Sequence, residues 1–240
     1  MVGMYRIYLL LLLTASIFGE EWNTVYLASF PRSGNHWVRF LVEEATHIAT
    51  SSVYRDGDFP HLPARFPWGG YSTDHGYKGN CRYPTHQDPV LIKTHYPYYT
   101  QTIRPFPKTT ICLIRHPVDA FQSFHLYEQK GKRIAPITEE ELLKFISGWR
   151  NFYEFWGKQP DVHFIRYEDL QENTALQLRH ILYAAGFAFN DEDIERAVEK
   201  YPLKKKPVKA FDLFDAHAIE KIKTELADLL KIHKYYQKGL

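Results

Sequence analysis

The sequence predicts an α/β fold of three layers, with a central, mostly parallel sheet flanked by helices on both faces. Three observations lead there. Short apolar runs at Val25-Tyr26-Leu27, Val90-Leu91-Ile92, Thr109 to Ile114 and Val162 to Tyr167 read as buried strands. Helical periodicities or long crossovers separate these runs, as parallel pairing requires. Each run also ends in polar residues: Arg32 and Ser33, then Lys93 and His95, then Arg115, then Tyr167. Ligands of open parallel sheets bind beyond the C-terminal ends of the strands, so four strand ends are expected to converge on one site.

The first unit is the most informative. After Leu27 comes a loop with Pro31 and Gly34, then a helix from Asn35 to about Ala49 that keeps Trp37, Phe40, Leu41 and Ala45 on one side. A loop feeding a helix N-terminus aims backbone N–H groups at one spot, where the helix dipole favours negative charge. Gly34 lets the backbone approach a ligand, and Arg32 adds a permanent charge. A phosphate or sulfate site is expected here; the plainer alternative is an ordinary turn with a surface arginine. Asn35 and His36 follow Gly34 where a nucleotide-triphosphatase loop carries Lys and Ser or Thr, so this is not that loop.

The remaining elements follow in order. Residues 51 to 89 form a long segment rich in Pro, Gly, Tyr and His, read either as a pocket lid that binds an acceptor or as a surface excursion. The strand from Val90 ends in Lys93-Thr94-His95, and the strand from Thr109 to Ile114 ends in Arg115-His116-Pro117. A helix is expected from Val118 to about Gln129. Thr138 and Glu141 make a capping box for another that reaches Trp156. After the fourth strand, Thr174 to Ala185 is helical and Gly186 ends it. Asn190 caps a helix to about Tyr201, and a last helix spans about Asp215 to Tyr236. Residues 22 to 240 read as a single domain.

Composition sets the outer bounds. With 45% hydrophobic and 24% charged residues over 240 positions, the chain fits one globular domain with a substantial core. The aromatic share, 16%, is more than a core needs, so some rings are expected to line a pocket or groove. A net charge of +2 gives no argument for a nucleic-acid partner. Two cysteines make neither a disulfide framework nor a metal site; Cys112 reads as a buried strand thiol and Cys81 as free. Residues 1 to 19 begin with Arg6 and an apolar run from Ile7 to Phe18, which fits a signal peptide or short membrane anchor and a secretory or membrane-associated location. The alternative is an N-terminal helix packed on a cytoplasmic domain.

Four motifs together resemble one family. Pro31-Arg32-Ser33-Gly34 with Trp37 close behind, Lys93-Thr94-His95, Arg115-His116-Pro117-Val118-Asp119 with Ser123, and Arg166-Tyr167-Glu168-Asp169-Leu170 follow the order and approximate spacing of sulfotransferases that use 3′-phosphoadenosine 5′-phosphosulfate (PAPS). The likeness covers about residues 24 to 185. It implies a P-loop nucleotide-binding-like form of the fold. It also implies sulfuryl transfer from PAPS, without a metal, to a hydroxyl or amine of a small molecule, glycan or lipid.

By this resemblance Arg32, Ser33, Gly34, Asn35 and His36 hold the 5′-phosphosulfate and Trp37 stacks on adenine. Arg115 and Ser123 hold the 3′-phosphate, and Tyr167 contacts the adenine. His95 is the expected general base, since imidazole titrates near neutral pH. Lys93 is expected to neutralise the sulfuryl oxygens and Arg32 to stabilise the leaving oxygen. From the residues alone, Arg115 needs an anionic partner at the end of a buried strand, while Trp37 and Tyr167 equally suit core packing.

Two departures matter. Arg32 stands where the cytosolic branch of the family usually has lysine; it supplies charge but cannot hand on a proton. That branch's C-terminal Arg-Lys-Gly clamp is missing, and Lys204-Lys205-Lys206 either replaces it or is a solvated basic run. A P-loop-type small-molecule kinase is the first alternative function, disfavoured because the third strand ends in Arg115 rather than an aspartate. A catalytically inactive nucleotide-binding homologue is the second, disfavoured by the presence of His95, Lys93, Arg32 and Ser123.

Overall fold

The computed structural model describes residues 22–54, 81–99, 108–130, 135–203 and 213–235. The N-terminal segment 1–19, most of the long segment after residue 51, and Lys204 to Lys206 lie outside the described residues.

Five strands form one sheet: β1 (Asn23–Ser29), β2 (Ser51–Ser52), β3 (Pro89–Thr94), β4 (Thr109–Ile114) and β5 (Val162–Arg166). Their order is β2-β3-β1-β4-β5, and every pairing is parallel. The expected three-layer architecture is therefore present. The helices are α1 (Asn35–Thr46), α2 (Pro117–Glu128), α3 (Glu139–Gly157), α4 (Tyr167–Glu172), α5 (Thr174–Ala185), α6 (Asp191–Lys200), α7 (Ala216–Glu225) and α8 (Ala227–Ile232).

Alternation along β1 sorts the core into two halves. Tyr26, Ala28 and Phe30 face a cluster with Phe121, Phe145, Trp149, Phe152 and Trp156 from α2 and α3. Val25 and Leu27 face the other way, onto Val38 and Leu41 of α1, Leu178 and Ile181 of α5 and Ile194 of α6. Much of the aromatic excess is consumed by the first half rather than by a pocket: Phe30 alone lies edge-on to Tyr98, Phe121, Phe124 and Phe152. Each fully buried side chain of this size contributes about 1.5–3 kcal/mol. The capping box of α3 is formed, with Thr138 N–H donating to Glu141 Oε2 at 2.8 Å and Glu141 N–H donating back to Thr138 Oγ1 at 3.3 Å.

Register places the site. Ala28 pairs with Thr94 on one side and Cys112 on the other, and Ser29 with Leu113. The first residues beyond these three strands, Phe30, His95 and Arg115, therefore leave the sheet at the same edge.

Four details depart from the sequence reading, each for a local reason. The helix expected to about Ala49 stops at Thr46, and His47 turns left-handed at φ 54°. The Glu43 carboxylate draws the chain away by accepting from Thr50 N–H at 2.9 Å and from the Thr50 hydroxyl at 2.5 Å. The polar pair Ser51–Ser52 adds an edge strand that hydrophobic patterning does not mark. Tyr167 opens the short helix α4 instead of ending β5. The last helix breaks at Leu226, where the Arg150 guanidinium takes the Glu225 carbonyl and pairs with Asp228 at 3.0 Å.

Candidate active site

The loop between β1 and α1 is tightly wound. Ser33 N–H donates to the Phe30 carbonyl at 3.2 Å, and both Arg32 (φ 68°) and Gly34 (φ 99°) are left-handed. Such backbone suits glycine but strains an arginine, and strain of this kind concentrates at functional loops. Gly34 also has no room for a side chain, because a Cβ there would lie 2.6 Å from Tyr167 Cδ2. Asn35 ties the helix start to the strand by donating from Nδ2 to Ser29 Oγ at 2.9 Å. Ser33 Oγ is buried, and the Ser33 side chain lies within hydrogen-bond reach of Tyr153.

The end of β3 brings in His95. Its Nδ1 lies 2.6 Å from the Ser29 carbonyl. A carbonyl can only accept, so Nδ1 carries the proton and Nε2 keeps its lone pair. The rings of Tyr54 and Tyr99 flank the imidazole at 5.4 and 5.8 Å, and His95 N–H donates to the Tyr54 hydroxyl at 2.5 Å. Burial, then the charge of Lys93, lowers the His95 pKa to about 3. The near-neutral titration expected from the sequence thus does not hold in the folded protein, because the imidazole is shut away from water beside a cation. Lys93 Nζ sits 3.2 Å from His36 Nε2 and over the Tyr54 ring at 5.4 Å.

The end of β4 supplies the remaining charge. Arg115 Nη1 donates to the Arg32 carbonyl at 2.9 Å, and its guanidinium lies on the Tyr167 ring at 4.6 Å. Its Nε is buried and has no partner among the described residues. Arg32 donates from Nε to Ser123 Oγ at 3.1 Å and lies over the Tyr127 ring at 5.0 Å. Burial, and to a lesser extent Arg115, lowers the Arg32 pKa from its ordinary value. The sequence reading paired Ser123 with Arg115; in the structure Ser123 touches Arg32, and Arg115 reaches the Arg32 carbonyl. Trp37 is anchored by its Nε1 to the Tyr201 carbonyl at 2.8 Å and meets Tyr167 edge-on at 6.0 Å. Both rings thus pack against neighbours while bordering the loop.

These residues can do two things chemically. Paired guanidiniums, loop amides and the unpartnered Arg115 Nε fit a ligand with more than one anionic group. A buried imidazole with a free Nε2 can accept a proton. Tyr54, Tyr99 and the Ser29 carbonyl were not found from the sequence. Tyr54 follows an unmarked strand, Tyr99 stood only as one ring among many, and a backbone carbonyl leaves no sequence signal. Among the described residues no group of three or more His, Cys, Asp or Glu is placed to hold a metal ion, and no helix is long and apolar enough to cross a membrane.

A parallel sheet with an anion loop between its central strand and the following helix places the protein among α/β nucleotide-binding-like folds. More narrowly, the chain belongs to the sulfotransferase domain family, whose model matches residues 23–225. It is 28% identical over 186 residues to Sulfotransferase 6B1 of Mus musculus, an alignment covering 72% of this chain and 58% of the relative. It is 30% identical over 183 residues to WSCD family member AAEL009094 of Aedes aegypti, covering 69% of this chain and 51% of that protein. The chain thus spans between half and three-fifths of the length of these relatives. Among solved structures, that of mouse sulfotransferase SULT7A1 complexed with PAP superposes with a TM-score of 0.56 at 18% identity, covering 91% of this chain and 89% of that one.

Proposed function

We propose that the protein transfers the sulfuryl group of PAPS to a hydroxyl, or an amine, of an acceptor that is a small molecule, glycan or lipid. The observation that carries this reading is the meeting of His95, Lys93, Arg32 and Arg115 around one glycine loop at a single sheet edge. The bound donor supplies an activated sulfur joined through a bridging oxygen to a phosphate. Arg32, the loop amides, Asn35 and His36 border its 5′ end; Arg115 and Ser123 border its 3′-phosphate; Trp37 and Tyr167 border its base.

In the proposed reaction, His95 Nε2 takes the acceptor's proton as the acceptor oxygen attacks sulfur. A new S–O bond forms, the bridging S–O bond breaks, and its electron pair stays on the departing phosphate, where Arg32 and the loop amides face the growing charge. Lys93 matters twice. Its charge is, after burial, the second cause of the weak basicity of His95. Sulfuryl oxygens beside that ammonium would offset the charge, so the base strengthens where it is needed. The rings of Tyr54 and Tyr99 flank the imidazole, which suits an acceptor hydroxyl carried on an apolar or ring-shaped surface. Residues 1 to 19 are read as directing or anchoring the protein in the secretory pathway, and residues 22 to 240 as one domain.

The test has two arms. Calorimetric titration with 3′-phosphoadenosine 5′-phosphate should give binding that ATP with magnesium does not match. Incubation with PAPS carrying labelled sulfate and a panel of acceptors should give labelled product. Preferential binding of ATP with magnesium overturns the donor assignment, and bisphosphate binding without turnover on any acceptor points to the inactive homologue.

A further inference from the structure

The C-terminal residues beyond the family match reach back to the site. Tyr235 donates its hydroxyl proton to Glu168 Oε2 at 2.8 Å, and the other oxygen of the same carboxylate, Oε1, accepts from His116 N–H at 2.9 Å. Tyr235 is buried; its ring lies under the Arg166 guanidinium at 4.5 Å and meets the His116 ring edge-on at 5.3 Å. Burial, followed by the Glu168 charge, pushes the Tyr235 pKa far above its ordinary value, so the hydroxyl keeps its proton and remains a donor.

Glu168 lies one residue after Tyr167, and His116 one residue after Arg115. The carboxylate therefore joins the two chain segments whose side chains, Arg115 and Tyr167, stack on each other. The far side of the same peptide is also held, because Trp149 Nε1 donates to the Arg115 carbonyl at 3.4 Å. With its carbonyl and the following N–H both fixed, the Arg115–His116 peptide cannot rotate, and rotation there would swing the Arg115 guanidinium.

We infer that Glu168 and Tyr235 are positioning residues for the donor site, a carboxylate clip that sets the Arg115 guanidinium and the Tyr167 ring in the geometry that reads a 3′-phosphate. The inference rests on the sulfotransferase reading and adds to it residues that touch no donor atom. It also gives the C-terminal segment a role other than contributing a basic clamp.

The test compares binding of 3′-phosphoadenosine 5′-phosphate with binding of adenosine 5′-monophosphate, which lacks the 3′-phosphate, by full-length wild type, Tyr235→Phe, Glu168→Gln and Glu168→Ala. Tyr235→Phe keeps the ring under Arg166 and removes only the hydroxyl, with its hydrogen bonds to Glu168 and Arg166. Its preference for the bisphosphate should fall about three- to tenfold. Glu168→Ala frees the His116 N–H as well and should fall further. Glu168→Gln keeps an acceptor for that N–H and should stay within about threefold of wild type. A variant that only loses general stability weakens both nucleotides alike, so the ratio separates positioning from structure. Unchanged preference in both Tyr235→Phe and Glu168→Ala overturns the inference, and Tyr235→Phe decides alone should Glu168→Ala fail to fold. Wild type without any bisphosphate preference overturns the donor reading beneath it.

Discussion

Gly34→Ala tests the architecture of the loop. The backbone at Gly34 has φ 99°, and the left-handed region costs a residue bearing a Cβ about 1–2 kcal/mol. A Cβ would also stand 2.6 and 2.7 Å from Tyr167 Cδ2 and Cε2, distances that require the ring to move. That ring cannot move freely, because it carries the Arg115 guanidinium at 4.6 Å and meets Trp37 at 6.0 Å. Overpacking of this kind costs about 1–3 kcal/mol, so the expected loss of stability is about 2–5 kcal/mol in total. Displacing Tyr167 also unseats Arg115, and bisphosphate affinity should fall about tenfold or more. Urea unfolding and calorimetric titration give the two numbers. Gly157→Ala is the control: Gly157 ends α3, a Cβ there meets nothing within 4 Å, and the change should be neutral or stabilising by up to about 1 kcal/mol. If Gly34→Ala stays within about 0.5 kcal/mol of wild type, the change an ordinary surface substitution makes, and binds the bisphosphate equally well, the steric argument for the loop is wrong.

Three further outcomes are expected. His95→Ala should cut turnover about 10²–10⁴-fold while bisphosphate affinity holds, measured by single-turnover kinetics and titration; retained turnover moves proton removal to another residue. Arg115→Ala should weaken the bisphosphate by about 1.5–3 kcal/mol and a nucleotide without the 3′-phosphate far less, and equal weakening of both removes Arg115 from that phosphate. The folded pKa of His95, about 3, lies below that of the unfolded imidazole, about 6.5, so between these values only the unfolded chain binds the proton. Stability should therefore decline as pH falls through this window. His116 and His233, whose pKa values burial also lowers, act in the same direction. His95→Ala should flatten the slope of stability against pH, and an unchanged slope would mean that His95 is not buried neutral.

The sheet and the strand ends were legible because their signals are local. Val25-Tyr26-Leu27, Val90-Leu91-Ile92 and Thr109 to Ile114 are apolar runs whose neighbours cannot be anything but buried, and Gly34 with Arg32 marks the loop within four residues. Their convergence also followed from the parallel topology. What stayed hidden depends on distant pairings. Ser51–Ser52 becomes a strand only because β3 offers an open side, and no pattern in two serines announces it. The low basicity of His95 depends first on burial, which its Lys-Thr-His context does not reveal, and then on Lys93, which that context shows but whose distance to the imidazole it does not. Glu168 and Tyr235 are 67 positions apart, and their hydrogen bond exists only once α8 has brought the chain back. The break at Leu226 likewise needs Arg150, from another helix, to take the Glu225 carbonyl.

The sheet order gives the two halves of the site different resistance to opening. β1 is hydrogen-bonded on both sides, so its amides exchange with solvent only when the centre of the sheet comes apart. Among the described residues β2 has two residues and one neighbour, and is expected to separate at lower free energy. Tyr54 lies two residues beyond β2, and its hydroxyl accepts the His95 backbone N–H. Detaching β2 thus lifts an aromatic wall from the imidazole while β1, and the anion loop rooted in it, stays in place. In a hydrogen-exchange experiment the amides of Val53 and Tyr54 should exchange orders of magnitude faster than those of Tyr26 to Ala28.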